Sequence, residues 1–239
     1  METKGRLCLA LDVDDKSTAE RLVKQLSEYV GIFKIGFQIY TKEGPEIISA
    51  IKELGGEVFL DLKFHDIPNT IAQVSRIATS LGVSMFNLHV SGGKEMMKAA
   101  VQSAQEEADR LGFKKPKILG VTVLTSIDQP TLRNQLRINN SIEEHVKHLA
   151  LLAQKAGLDG VIASPKETSI IRTTCGADFI IGTPGIRPPG SPPDDQKRTL
   201  TPREAIVAGA TFIVVGRPIR KAKNPVQAAM RILEEIEIQ

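Results

Sequence analysis

Tryptophan is absent from this 239-residue chain, and the aromatic set is only eight Phe and two Tyr. Surfaces that bind single-stranded nucleic acid stack bases on aromatic side chains, so the composition argues against a nucleic-acid partner. There are two cysteines, Cys8 and Cys175, too few for a disulfide framework and in keeping with a reducing compartment. No apolar run approaches the roughly 18 residues of a membrane span. Lys4 and Arg6 precede an apolar stretch that stops at Asp12, shorter than the apolar region of a secretory signal. A cytoplasmic protein with no membrane association is therefore expected. Neither sign of charge dominates, since 31 basic and 28 acidic residues leave a net +3. Same-sign tracts are short, and Lys114, Lys115 and Lys117 read as a solvated loop. There is no Walker loop and no dinucleotide glycine pattern. His145 and His148 stand three apart on a helical segment without an obvious acidic or thiol partner, so no metal site is expected.

What is present is an ordinary globular composition, 41% hydrophobic and 25% charged, in a chain long enough to bury a core without staples. Eight runs dense in Val, Ile, Leu and Phe cover residues 7–13, 32–37, 57–62, 84–90, 118–124, 160–163, 179–182 and 211–215. They alternate only weakly in polarity, as strands of a parallel sheet buried on both faces do. Helix-period segments lie between them. Ser17 with Glu20 and Ser141 with Glu144 have capping-box spacing, and Gly157 follows the second segment as a stop signal. Pro45, Pro68, Pro165, Pro202 and Pro225 stand near helix starts, where a missing N–H costs little. Eight strands alternating with eight helices, at about 30 residues per unit, read as one (β/α)₈ barrel over residues 1–239; a doubly wound sheet is the alternative. Two long loops interrupt the pattern. Residues 125–140 are polar with a short helix expected around 131–136, and residues 183–199 hold five of the 13 prolines. The second follows strand seven on the working face of a barrel and reads as a lid.

The densest chemistry is Asp61-Leu62-Lys63-Phe64-His65-Asp66-Ile67-Pro68-Asn69-Thr70. Asp61 and Lys63 are two apart on a strand, so their side chains share a face. They stand at the C-terminal end of strand three, where barrel enzymes place their reactive groups. Asp12 and Lys34, each flanked by apolar residues, come from the ends of strands one and two. The result is an alternating array of carboxylates and ammonium groups. A structural ion-pair network is the alternative, but desolvating several charges costs more than packing apolar residues of the same volume. Gly216 and Arg217 follow strand eight, where barrels place phosphate sites and where a guanidinium makes forked contacts to phosphate oxygens. His65 and His89 read as structural or wall residues.

The segment Asp61-x-Lys63-x-x-Asp66-Ile67-Pro68-x-Thr70 resembles the signature of the orotidine 5′-phosphate decarboxylase family. The likeness extends over almost the whole chain. It takes in Ala10-Leu11-Asp12, Lys34-Ile35-Gly36, Val123-Leu124-Thr125-Ser126, Gly185-Ile186-Arg187-Pro188, Asp195-Gln196-Lys197-Arg198 and Val215-Gly216-Arg217-Pro218-Ile219. The Asp-x-Lys-x-x-Asp core is shared with a wider group of barrels, and Lys34, Gln196 and Arg217 single out this member. The resemblance implies decarboxylation of orotidine 5′-monophosphate to uridine 5′-monophosphate in de novo pyrimidine biosynthesis, with no cofactor and no metal. It implies that Lys63 stabilises the carbanion and donates the replacing proton, with Asp61, Asp66 and Lys34 completing the catalytic set. Asp12 and Lys34 would hold the ribose. Thr125 and Ser126 would read the pyrimidine. Arg187, Gln196, Gly216 and Arg217 would close on the phosphate and the pyrimidine edge. The same likeness implies a homodimer in which Asp66 and Thr70 reach the neighbouring subunit's site. A metal-dependent sugar-phosphate enzyme on the same barrel would, by family comparison, need a carboxylate at position 34. A phosphate-ligand sensor would have no use for the full Asp61/Lys63/Asp66 array.

Overall fold

The computed structural model describes residues 3–189 and 199–237. The elements run β1 (Leu7–Ala10), α1 (Lys16–Leu26), β2 (Ile32–Gly36), α2 (Phe37–Glu43), α3 (Glu46–Glu53), β3 (Glu57–Phe64), α4 (Pro68–Ser80), β4 (Met85–His89) and α5 (Lys94–Leu111). They continue with β5 (Lys117–Val121), α6 (Gln129–Asn134), α7 (Ile142–Lys155), β6 (Gly160–Ile162), α8 (Thr168–Cys175), β7 (Ile180–Thr183), α9 (Pro202–Val207), β8 (Phe212–Val215), α10 (Arg217–Arg220) and α11 (Pro225–Glu237). Every strand pairs in parallel with its neighbour in sequence, and β8 returns to β1 to close the barrel. This is the (β/α)₈ barrel expected from the spacing, and it excludes the doubly wound sheet.

Two hydrophobic layers hold it. Outward-facing strand residues such as Leu9, Phe33, Leu60, Phe86 and Ile213 pack beneath the helices, which supply Leu22, Ile48, Ala100 and Leu149 among others. Inward-facing residues form a separate interior cluster, in which Phe59 and Phe212 meet edge to face at 6.3 Å between centroids. The apolar interior floors the C-terminal mouth, so charged groups at the strand ends sit over a dry base.

Several local expectations change. There are eleven α-helices among the described residues, because the second, fifth and eighth units each hold two. Gly44, at φ 65°, ends α2 before Pro45 starts α3. The short α6 is the helix expected in the loop after strand five. α1 is capped by Asp15, whose carboxylate accepts from Thr18 N–H at 2.8 Å, so Ser17 is not its cap. The Ser141–Glu144 capping box is present. Lys115 and Lys117 are not simply solvated; they pair with Asp159 at 2.9 and 2.7 Å. Both cysteines are free and buried. Among the described residues no helix is long and apolar enough to cross a membrane.

Candidate active site

Strand pairing lines up the ends of β1, β2 and β3 at one mouth. Lys34 is inward on β2, opposite Ala10 of β1 and Phe59 of β3. Its ammonium lies 3.0 Å from Asp61 Oδ2 and 3.3 Å from Asp12 Oδ1. Asp61 Oδ1 in turn accepts from Lys63 Nζ at 2.8 Å. The sequence order Asp12, Lys34, Asp61, Lys63 thus becomes a spatial chain of alternating charge. Lys34 and Asp61 are each only 8% exposed, so this array is screened far less than a surface ion pair.

Plain strand alternation is not what aims Lys63. Between Leu60 and Phe64 the register against β4 slips, four steps along β3 matching two along β4. Such a bulge re-aims a side chain at a sheet's end. Lys63 sits within it at φ 45°, a left-handed conformation that an L-residue with a Cβ adopts at a cost. β3 therefore runs to Phe64, past the end expected at Leu62.

A cavity of about 510 Å³ opens over the array, lined by Asp12, Lys34, Asp61 and Lys63 on one side and Arg187, Gly216 and Arg217 on the other. Arg187 leaves the loop after β7, held where its backbone N–H bonds Leu200 O at 2.9 Å. Gly216 caps α10 and Arg217 opens it. Thr125 also lines this space, from the loop after β5 rather than from the strand itself. Of the expected set, these eight residues converge.

Others do not. Ser126 is exposed and does not line the cavity. Asp66 is exposed, and its carboxylate accepts from Ile67 N–H at 2.7 Å. Among the described residues Asp61 is the carboxylate that pairs with Lys63, so the expectation that Asp66 also lies beside it is not met within one chain. Thr70 stands in the first turn of α4, away from the cavity lining. Gln196 lies outside the described residues, as do Asp195, Lys197, Arg198 and the centre of the loop read as a lid. Sequence reasoning also passed over two neighbours. Phe37, the first residue of α2, places its ring centroid 5.7 Å from Lys63 Nζ. Asn87 on β4 is fully buried and bonds both Asp61 and the Lys63 backbone. Its signal was available: an amide inside the buried run Met85-Phe86-Asn87-Leu88 must find partners. His65 and His89 stack at 5.3 Å, and burial, helped by His65 and Lys63, holds His89 below the usual imidazole range.

Burial opposes both central charges, yet their partners prevail. Asp12 and Asp61 hold the Lys34 ammonium above its ordinary 10.5. Against burial, Lys34, Lys63 and the Asn87 amide hold the Asp61 carboxyl below 3.8. Linkage fixes the signs. Asp61 adds stability that is complete above pH 3.8 and lost as pH falls through its lower folded value. Lys34 adds stability that is complete below pH 10.5 and lost as pH rises through its higher folded value. Urea midpoints of wild type and Asp61→Asn should accordingly keep their separation down to about pH 4 and converge as pH falls further. Parallel curves would remove Asp61 from the acid limb.

Gly36 is the steric partner of this array. A Cβ there would stand 2.9 Å from Lys34 Nζ and 3.2 Å from Asp12 Oδ1. At a compatible site Gly→Ala stabilises by about 0.4–1 kcal/mol, but overpacking a core costs about 1–3 kcal/mol. Gly36→Ala should therefore be net destabilising, read as a lower urea midpoint; a raised one would show that the ammonium has room to move.

A family profile described as "Orotidine 5'-phosphate decarboxylase / HUMPS family" matches residues 5–232. The chain belongs to this family. It is 50% identical over 238 residues to the orotidine 5′-phosphate decarboxylase of Moorella thermoacetica, covering 100% of this chain and 94% of that one. The relative of the same name from Syntrophotalea carbinolica is 49% identical over 99% of this chain and 96% of its own. Among solved structures, the orotidine 5′-phosphate decarboxylase of Lactobacillus acidophilus superposes with a TM-score of 0.86 at 34% identity, covering 98% of this chain and 99% of that one. Membership in the decarboxylase/HUMPS family agrees with a barrel whose charges gather at the C-terminal mouth.

Proposed function

We propose that this protein is a carboxy-lyase that converts orotidine 5′-monophosphate to uridine 5′-monophosphate and CO₂ in pyrimidine biosynthesis, using its own side chains alone. The relatives that share its full length carry that activity in their names. The observation that carries the reading is a single ammonium, Lys63 Nζ, held 2.8 Å from a buried carboxylate at the wall of a nucleotide-sized cavity.

The chemistry asks for such a group. Breaking the bond from ring carbon to carboxylate releases CO₂ and leaves an electron pair in the plane of the pyrimidine, with no conjugated sink. Lys63 places positive charge beside that pair, an interaction stronger in the transition state than in the ground state. A proton then moves from Nζ to the ring carbon, and the neutral amine regains one from solvent. Asp61 anchors the ammonium, while Lys34 and Asp12 hold the ribose hydroxyls. Arg217, Gly216 and Arg187 take the phosphate, at the loops where barrels commonly bind one. Thr125, which lines the cavity, reads the pyrimidine; Gln196 is assigned to the pyrimidine edge by the family resemblance alone. Lys34 stands between Asp12 and Asp61 at 3.3 and 3.0 Å, occupying with an ammonium the place where those carboxylates would otherwise hold a metal ion. That favours the decarboxylase over a metal-dependent sugar-phosphate enzyme.

The active unit is a homodimer in which Asp66 and Thr70 complete the neighbouring site. Asp66 is free of the array in its own chain, and its neighbour in sequence, Ile67, is 66% exposed, so this segment is open to a partner subunit. Incubating the purified protein with orotidine 5′-monophosphate should bleach the substrate's absorbance, in chelator as well as without it. An unchanged spectrum, or a requirement for Mg²⁺, would sink the reading.

A further inference from the structure

We propose that Asn87 is a positioning residue for decarboxylation, a clamp that locks Asp61 and Lys63 into one geometry; this rests on the function proposed above. Asn87 is fully buried and does not line the cavity, so it works only through its neighbours. Its Oδ1 accepts the Lys63 backbone N–H at 2.8 Å. Its Nδ2 donates to Asp61 Oδ1 at 2.7 Å, the same oxygen that accepts from Lys63 Nζ at 2.8 Å. One amide thus ties the backbone of Lys63 to the carboxylate that holds its side chain.

The chemistry admits a single orientation. A backbone N–H only donates and an ionised carboxylate only accepts, so the amide oxygen must face Lys63 and the nitrogen Asp61. An aliphatic side chain would leave the bulge N–H without this acceptor, and the cost of φ 45° at Lys63 would lose what offsets it. The ammonium would then sample positions away from the ring carbon.

Two variants separate positioning from mere packing. Asn87→Ala should lower kcat by about 10- to 100-fold, the scale set by misplacing a reactive group by about 1 Å. KM should stay within about threefold, because the ribose and phosphate contacts are made by other residues. Asn87→Asp keeps the shape but places an anion against Asp61 when ionised. Protonated, it again accepts from Lys63 N–H and donates to Asp61, and the like-charged pair favours holding that proton. Its kcat relative to wild type should therefore climb at least about fivefold as pH falls from about 8 to about 6. Should the alanine variant fail to fold, this pH profile decides. An alanine variant with kcat within twofold of wild type, or an aspartate variant whose profile parallels wild type, would overturn the proposal.

A readout without substrate keeps the two proposals apart. Hydrogen exchange at the Lys63 amide should speed up at least about tenfold in Asn87→Ala. If wild type did not turn over orotidine 5′-monophosphate, the proposed function would fall alone, and unchanged exchange would overturn the clamp whatever the activity.

Discussion

Lys63→Ala should lower turnover of orotidine 5′-monophosphate by about 10⁴-fold or more while uridine 5′-monophosphate still binds. Proton delivery by a placed side chain contributes about 10²–10⁴-fold, and removing one electrostatic stabiliser costs about 10²–10³-fold; Lys63 is assigned both. The fold should survive, since Asp61 keeps Lys34 at 3.0 Å and the Asn87 amide at 2.7 Å. Product binding should change little, because the phosphate and ribose contacts come from other loops. Isothermal titration with the product and single-turnover kinetics with the substrate measure the two halves. Activity within tenfold of wild type would remove Lys63 from the chemistry. Lys63→Gly is an informative companion. It should be as inactive as the alanine variant yet about 1 kcal/mol more stable, because glycine takes the left-handed conformation without a Cβ clash.

Mixing inactive Lys63→Ala with inactive Asp66→Ala protein should restore activity. In a symmetric dimer with shared sites, each hybrid holds one site with both residues intact and one with neither. Random exchange of equal amounts makes half the dimers hybrid, so specific activity should recover to about a quarter of wild type. Recovery rests on Asp66 acting across the interface, as its exposure and its separation from the array within one chain suggest. Mass spectrometry of tagged subunits establishes that exchange took place. Proven exchange without recovery would place Asp66 outside the neighbour's site.

The barrel was legible because its strands are short, apolar and regularly spaced, and parallel strands wrapped by helices require that pattern. Asp12, Lys34, Asp61 and Lys63 were legible too, since charged residues at the ends of apolar runs have few other reasons to be there. Boundaries were less so. Strand one ends at Ala10, not Val13, because its pairing with β2 ends at Ala10 and its pairing with β8 at Leu9. Ser17 looked like a cap, but Asp15 stood nearer the start of the helix and took the bond.

Side-chain chemistry and spacing by themselves determined the kind of fold, the mouth at which the charges gather and the residue types available for reaction. Tertiary structure alone decided how Lys63 is aimed. A period of two puts Asp61 and Lys63 on one face, but the contact is made through a register slip against β4 and a left-handed residue. Neither leaves a local mark, and the side chain that accepts the Lys63 backbone N–H is Asn87, 24 residues further along the chain. Likewise Asp66 belongs to the motif by sequence yet stands outside its own chain's array, since the bulge that turns Lys63 inward is followed by backbone running out to solvent at the start of α4. Local pattern reports periodicity and burial; the partner of a buried polar group is settled only when distant strands pair.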